Sequence, residues 1–166
     1  MVELGQPIDA PAVPATSGKT VSLADYRGKR VLLYFYPKDN TPGCTTESVG
    51  FANAHAVFAA AGIEIFGVSR DSVKSHENFK AKYRMPFELL SDGDEALCRY
   101  FDVIKEKNMY GKKVMGIVRS TFLIDADGKL AAAWHNVKAA KHVAEVMAEL
   151  GLSADGIDLE ACRTPA

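Results

Sequence analysis

Arg30 to Tyr36 reads RVLLYFY, a dense run of branched and aromatic residues ended by Pro37. Such a run predicts a central strand buried on both faces. Ile63 to Val68 (IEIFGV) predicts a second buried strand, and Phe87 to Leu90 a short third one. Between them the period lengthens. Phe51, Ala54, Phe58 and Ala61 recur at helical spacing, so a helix starts near Cys44 and ends before Gly62. Val73, Phe79 and Tyr83 mark a helix over 73–83, and Leu97 and Phe101 mark another after the loop SDGDE. Strand and helix in alternation imply right-handed crossovers and a parallel sheet.

The pattern then changes. Val118 to Ile124 and Lys129 to His135 read as strands joined by the turn Asp125-Ala126-Asp127-Gly128, which makes a hairpin. A final helix carries Ala140, Val143, Met147 and Leu150 on one side. The expected fold is α/β, a mixed central sheet of four to five strands covered by helices on both faces. The segment up to Thr20, with Pro7, Pro11 and Pro14, reads as extended, and Ser22 as the cap of a short turn. Lys105 to Gly116 reads as a solvated basic loop, and His55 and His76 as solvent-facing helix residues. Trp134 and His135 suit either a strand edge or a contact with a partner. No linker divides the chain, so one domain is expected over 1–152, followed by a tail over 153–166.

Composition narrows the functions open to this fold. A formal net charge of -1 creates no field that would gather nucleic acid or acidic lipid. No stretch approaches the roughly 20 apolar residues of a membrane span. The first residues, with Glu3 and Asp9, lack the basic start and apolar run of a secretory signal, so the cytoplasm is the expected location. Three widely spaced cysteines, Cys44, Cys98 and Cys162, do not make a disulfide framework. Without a Cys-x-x-Cys pair, and with four scattered histidines, a metal site is not expected either.

Cysteine is therefore read as a possible reagent. Cys44 falls just past the C-terminal end of a central strand and at the start of a helix, where sites in open α/β sheets collect. The positive helix end favours the thiolate, which is the nucleophilic form. The plain alternative is a small apolar filler. Thr41, three residues earlier, is either a helix cap or a hydroxyl for a bound oxygen. Arg119 interrupts the apolar run GIVRSTFLI, and alternation puts it on one face with Ile117, Thr121 and Leu123. A half-buried guanidinium needs an anion. Glu47 answers that need structurally, the Cys44 thiolate chemically, and the two are compatible if Glu47 orients Arg119 from behind.

Pro37-Lys38-Asp39-Asn40-Thr41-Pro42-Gly43-Cys44 has the pattern Pro-x-x-x-Thr-x-x-Cys. Together with YFYPKDNTPGCTTE, GVSRDS, LLSDGDEALC and RSTFLID, it resembles the peroxiredoxins of the bacterioferritin comigratory protein, or peroxiredoxin Q, group. The resemblance covers roughly Leu4 to Leu150. It implies a thioredoxin-like fold and a thiol-dependent peroxidase that needs no cofactor. It further implies that Cys44 is the peroxidatic cysteine, Thr41 the peroxide-binding threonine and Arg119 the active-site arginine. Pro37 and Pro42 would shape the pocket, and the Gly43 and Cys44 amides would complete the cradle. The substrate is then a hydroperoxide, and a monomer is mildly favoured.

The chain departs from many such relatives in its second cysteine. Val49 stands where some carry a resolving cysteine, and Lys80 where others do. Cys98 lies on an apolar helix face and reads as core, and Cys162 lies beyond the main fold. A one-cysteine cycle is therefore expected, with glutathione, glutaredoxin or thioredoxin as the external reductant. Cys162 or Cys98 as resolver, a disulfide oxidoreductase and a redox-sensing interaction protein are the alternatives.

Overall fold

The computed structural model describes residues 2–157 and 159. Two short antiparallel strands, β1 (Val13–Pro14) and β2 (Thr20–Val21), open the chain and are followed by a 3-10 turn over Leu23–Tyr26. Then come β3 (Arg30–Phe35), α1 (Pro42–Ala60), β4 (Ile63–Ser69), α2 (Val73–Tyr83), β5 (Glu88–Ser91) and α3 (Ala96–Tyr100). The second half holds β6 (Ile104–Met109), β7 (Lys112–Ile117), β8 (Ser120–Ile124), β9 (Leu130–Trp134) and α4 (Ala139–Glu149).

The central sheet runs β5-β4-β3-β8-β9. β4 lies parallel to β3 and β5, whereas β8 runs antiparallel to β3 and β9, so the sheet is mixed. Alternation along β3 divides the core into two layers. Val31, Leu33 and Phe35 join Phe66, Phe101 and Phe122 on one face. Leu32, Tyr34 and Tyr36 join Phe51, Phe58 and Leu123 beneath α1 and α4 on the other. Burial of each large apolar side chain contributes about 1.5–3 kcal/mol.

Three local expectations change. Lys105 to Gly116 is not a loop: β6 and β7 pair antiparallel from Ile104↔Ile117 to Met109↔Lys112. Tyr110 and Gly111 turn the chain between them with φ of 52° and 79°, as a tight hairpin requires. Arg119 is not inside a strand, because it lies between the end of β7 and the start of β8. Ile117 therefore packs in the opposite core layer from Leu123. His76 is fully buried rather than solvent-facing. His55 is half-buried. No helix among the described residues is long and apolar enough to cross a membrane.

Candidate active site

β3 delivers the chain to one end of the sheet, and Pro37 starts the loop that leads into α1. Thr41 takes an extended backbone at the helix N-cap, and Pro42 follows in the first turn, where its missing N–H costs nothing. The first intrahelical bond runs from the Thr45 amide to the Thr41 carbonyl at 2.8 Å. The Gly43 and Cys44 amides precede it and have no intrahelical acceptor. Thr41 does not cap with its side chain; its Oγ1 donates to the Lys38 carbonyl at 2.9 Å. The hydroxyl keeps its acceptor lone pairs for a ligand.

Cys44 is only 1% exposed. Arg119 reaches it from the β7–β8 junction, with Nη2 3.4 Å from Sγ. The other arm of the guanidinium, Nη1, donates to Glu47 Oε1 at 2.7 Å. Cys44 and Glu47 are three apart on α1 and so share a helix face, which one planar fork can span. The Val137 amide donates to the Arg119 carbonyl at 3.0 Å and holds the junction in place. Gly43 leaves room for this approach: a Cβ there would lie 3.3 Å from Nη2 and 3.7 Å from Ala139 Cβ.

The electrostatics follow from burial. Glu47 is wholly buried, and desolvation pushes its carboxyl up to about 7, although Arg119 pulls the other way. Its Oε2 is unpartnered among the described residues. His142, on α4, meets Thr121 Oγ1 at 2.5 Å through Nε2. Burial, then Arg119, pushes its imidazole down to about 4, so it stays neutral. Lys107, on β6, is pulled below its ordinary value by burial and Arg119, and is pulled back by the Cys44 sulfur. Neither His142 nor Lys107 was singled out from the sequence, because each sits in a segment with no motif of its own.

A cavity of about 600 Å³ opens beside the site, lined by Pro37, Val103, Lys107, Val118, Arg119 and His135 among others. The structure thus brings Cys44, Arg119, Glu47 and Gly43 together, with Pro37 at the cavity wall. Cys98 is elsewhere: it packs in the opposite core layer, and burial followed by the Asp92 carboxylate pushes its thiol well up. Cys162 lies outside the described residues. Asp39, Asp71 and His76 place one potential metal-ligand atom each within 4.8 Å of one another. Protein groups already serve them, however, including Tyr36, Ser69 and Ser75.

Residues 4–133 match the AhpC/TSA family. The chain belongs to that family. Within it, this peroxiredoxin is similar to peroxiredoxin Bcp of Xanthomonas campestris, with 56% identity over 135 residues, covering 81% of this chain and 84% of the relative. Peroxiredoxin Bcp of Bacillus subtilis is 48% identical over 149 residues, covering 90% and 95%. Among solved structures, the bacterioferritin comigratory protein of X. campestris, studied for alkyl peroxide reduction, superposes with a TM-score of 0.81. It is 53% identical, with 85% of this chain and 90% of that one covered. Peroxiredoxin Q of Xylella fastidiosa gives a TM-score of 0.86 at 42% identity, covering 91% and 96%. The fold is thioredoxin-like, as the resemblance implied, and this AhpC/TSA member is a thiol-dependent peroxidase.

Proposed function

We propose that Cys44 is the sulfur that reduces hydroperoxides, including hydrogen peroxide and organic hydroperoxides. The observation that carries this reading is the Arg119 guanidinium bridging Cys44 Sγ and Glu47. The thiolate attacks the terminal oxygen of ROOH, an S–O bond forms, the O–O bond breaks, and the alkoxide or hydroxide leaves and takes up a proton. Charge moves from sulfur to the leaving oxygen, so donors fixed along that line stabilise the transition state more than the reactants. Arg119, the Gly43 and Cys44 amides and the Thr41 hydroxyl are those donors and contacts. Pro37 and Pro42 shape the entry. The sulfur itself accepts the oxygen, so no cofactor enters the step.

The resulting sulfenic acid is returned by a thiol: attack on sulfur forms a disulfide and releases water, and a second thiol frees Cys44. The one-cysteine route, with glutathione, glutaredoxin or thioredoxin as donor, is the first reading. It suits a reducing cytoplasmic compartment and a protein acting as a monomer, one unit over 1–152 with its tail. Burial and charge argue against Cys98 as the resolving thiol.

One observation favours a second reading with Cys162. Ile157 and Leu159 pack against the core layer that holds Cys44, and the Leu159 carbonyl would be 3.1 Å from a Cβ on Gly50 of α1. Gly50 is six residues from Cys44, a rise of about 9 Å. Cys162 is three residues beyond Leu159, a span of up to about 10 Å. The covalent reach therefore suffices.

The test of the function is hydroperoxide consumption by the purified protein with excess thiol. The wild type turns over and Cys44→Ser does not. Unchanged turnover in that variant would remove Cys44 from the reaction.

A further inference from the structure

The hairpin of β6 and β7 stands apart from the central sheet: among the described residues its two strands pair only with each other. Both outer edges therefore keep a row of backbone N–H and C=O groups without a strand partner. The six residues of each strand give the ribbon a length of about 20 Å. Between Ile104 and Ile117 it carries Lys105, Lys107, Lys112 and Lys113 against one acid, Glu106, in a chain whose net charge is -1. Of the large apolar side chains exposed among the described residues, Tyr110, Val114 and Met115 lie here and Leu4 lies elsewhere.

The register sorts these residues. Lys107 stands opposite Val114, Lys105 opposite Gly116 and Met109 opposite Lys112. Directly opposed residues share a face, so Lys105, Lys107, Lys112 and Val114 lie on one face, with Glu106 on the other. Lys105 pairs with Asp102 at 2.8 Å at the base of the ribbon, whereas Lys107, Lys112 and Lys113 have no ion pair among the described residues. Gly116 gives Lys107 a track: a Cβ there would lie 3.3 Å from its Cδ and 3.8 Å from its Nζ. Lys105 and Lys107 line the cavity of about 600 Å³ beside Arg119, which makes the basic face continuous with the mouth of the site. Asp102 and Glu106 also border that cavity, so the uncompensated charge lies at Lys107 and further out, at Lys112 and Lys113.

We propose that this ribbon is the docking surface for the protein that reduces Cys44, a dithiol protein whose reducing cysteine is rimmed by carboxylates and apolar side chains. This rests on the reading of Cys44 as the reacting sulfur. The partner's carboxylates offset the lysines, and its apolar rim covers Tyr110, Val114 and Met115. The ribbon reaches well past the cavity, further than a small hydroperoxide needs. A second copy of this chain would bring the same lysines and be repelled. Lipid or nucleic acid would satisfy the lysines, yet neither brings a thiol to the cavity at the ribbon's base. Once the partner is docked, one of its thiolates attacks the sulfenic sulfur, an S–S bond forms, and hydroxide leaves and takes up a proton as water. Its second thiolate breaks that bond, so Cys44 is freed as the thiolate and the partner is oxidised to its disulfide.

The test compares wild type, the double variant Lys112→Glu with Lys113→Glu, and Tyr110→Ser. Oxidation is followed with hydrogen peroxide, and reduction of the oxidised protein with an acidic thioredoxin and, separately, with dithiothreitol. All three positions are exposed, so the fold is undisturbed. The double variant should lose about tenfold in its second-order rate constant with thioredoxin. It should also lose most of the wild type's salt dependence, since exposed charges are screened over about 10 Å at 0.1 M. Tyr110→Ser should lose severalfold with thioredoxin. Oxidation, and reduction by dithiothreitol, should stay unchanged in both. Equal losses with thioredoxin and dithiothreitol, or no loss with thioredoxin, overturn the docking surface. A wild type reduced no faster by thioredoxin than by equimolar dithiothreitol does the same. Binding to phosphatidylglycerol vesicles that needs Lys112 and Lys113, with thioredoxin rates unaltered, would give the ribbon to a lipid surface instead. Oxidation that persists in Cys44→Ser would overturn the underlying assignment, which separates the two failures.

Discussion

Arg119 reaches two side chains with one plane, and two residues beside it leave separate traces. Glu47 has its carboxyl raised from 4.5 to about 7, so its proton is held more tightly in the folded chain. The stabilisation this gives is complete below about pH 4.5 and is lost as pH rises through about 7, on the order of 3 kcal/mol at most. Urea unfolding across that window should show stability falling as pH rises, with Glu47→Gln flattening the slope. An unchanged slope in that variant would place the titration elsewhere. Gly43 makes a second trace. A methyl at 3.3 Å from Nη2 makes the guanidinium give by a few tenths of an ångström. Gly43→Ala should therefore slow Cys44 oxidation severalfold with little loss of stability, since the arginine is moved from its place beside the sulfur. The arginine was legible in the sequence because a charge within GIVRSTFLI stands out from an otherwise largely apolar run. His76 was not, because a polar residue on a helix ordinarily faces water, and its partner Asp39 lies 37 positions away.

α1 carries the site at one end and much of the core along its length. Phe51 is fully buried, stacks on Tyr34 with ring centroids 4.7 Å apart, and lies edge-on to His142. Phe51→Ala should cost about 3–5 kcal/mol, measured by denaturant midpoint, because a sealed core collapses poorly around so large a hole. β3 and β4 were readable from RVLLYFY and IEIFGV because burial on both faces leaves Arg30 and Glu64 as the charged positions of two otherwise apolar runs. The β6–β7 hairpin was not. Lys105, Glu106, Lys112, Lys113, Val114 and Met115 all face solvent, so its strands show little apolar alternation. Only Tyr110-Gly111 signalled the turn. The hairpin matters to the site through Lys107, whose ammonium feels Arg119 and the Cys44 sulfur.

At the scale of the molecule, the mixed sheet puts Cys44 and Cys98 in opposite core layers, and the fold thereby separates its two described thiols. Whether the tail supplies a third is decided by the mass of the oxidised chain. In the absence of added thiol, one equivalent of hydrogen peroxide should add one oxygen to the wild type if reduction depends on an external thiol. Loss of two hydrogens that disappears in Cys162→Ser would establish the tail as resolver. Apart from the β6–β7 hairpin, the order of the main elements and the general place of the candidate site were legible because both follow from strand ends and helix starts. The hydrogen-bond cluster around Asp39 was not, because it joins three distant segments through side chains that carry no periodic signal.

The central claim is that Arg119 holds the Cys44 sulfur for attack on peroxide. Stopped-flow oxidation of the reduced protein by hydrogen peroxide, in wild type and Arg119→Lys, tests it most directly. The second-order rate constant should fall about 100-fold in the variant, because a point-like ammonium does not reproduce the planar fork whose two nitrogens reach sulfur and carboxylate separately. Equal rate constants for the two proteins would contradict the account.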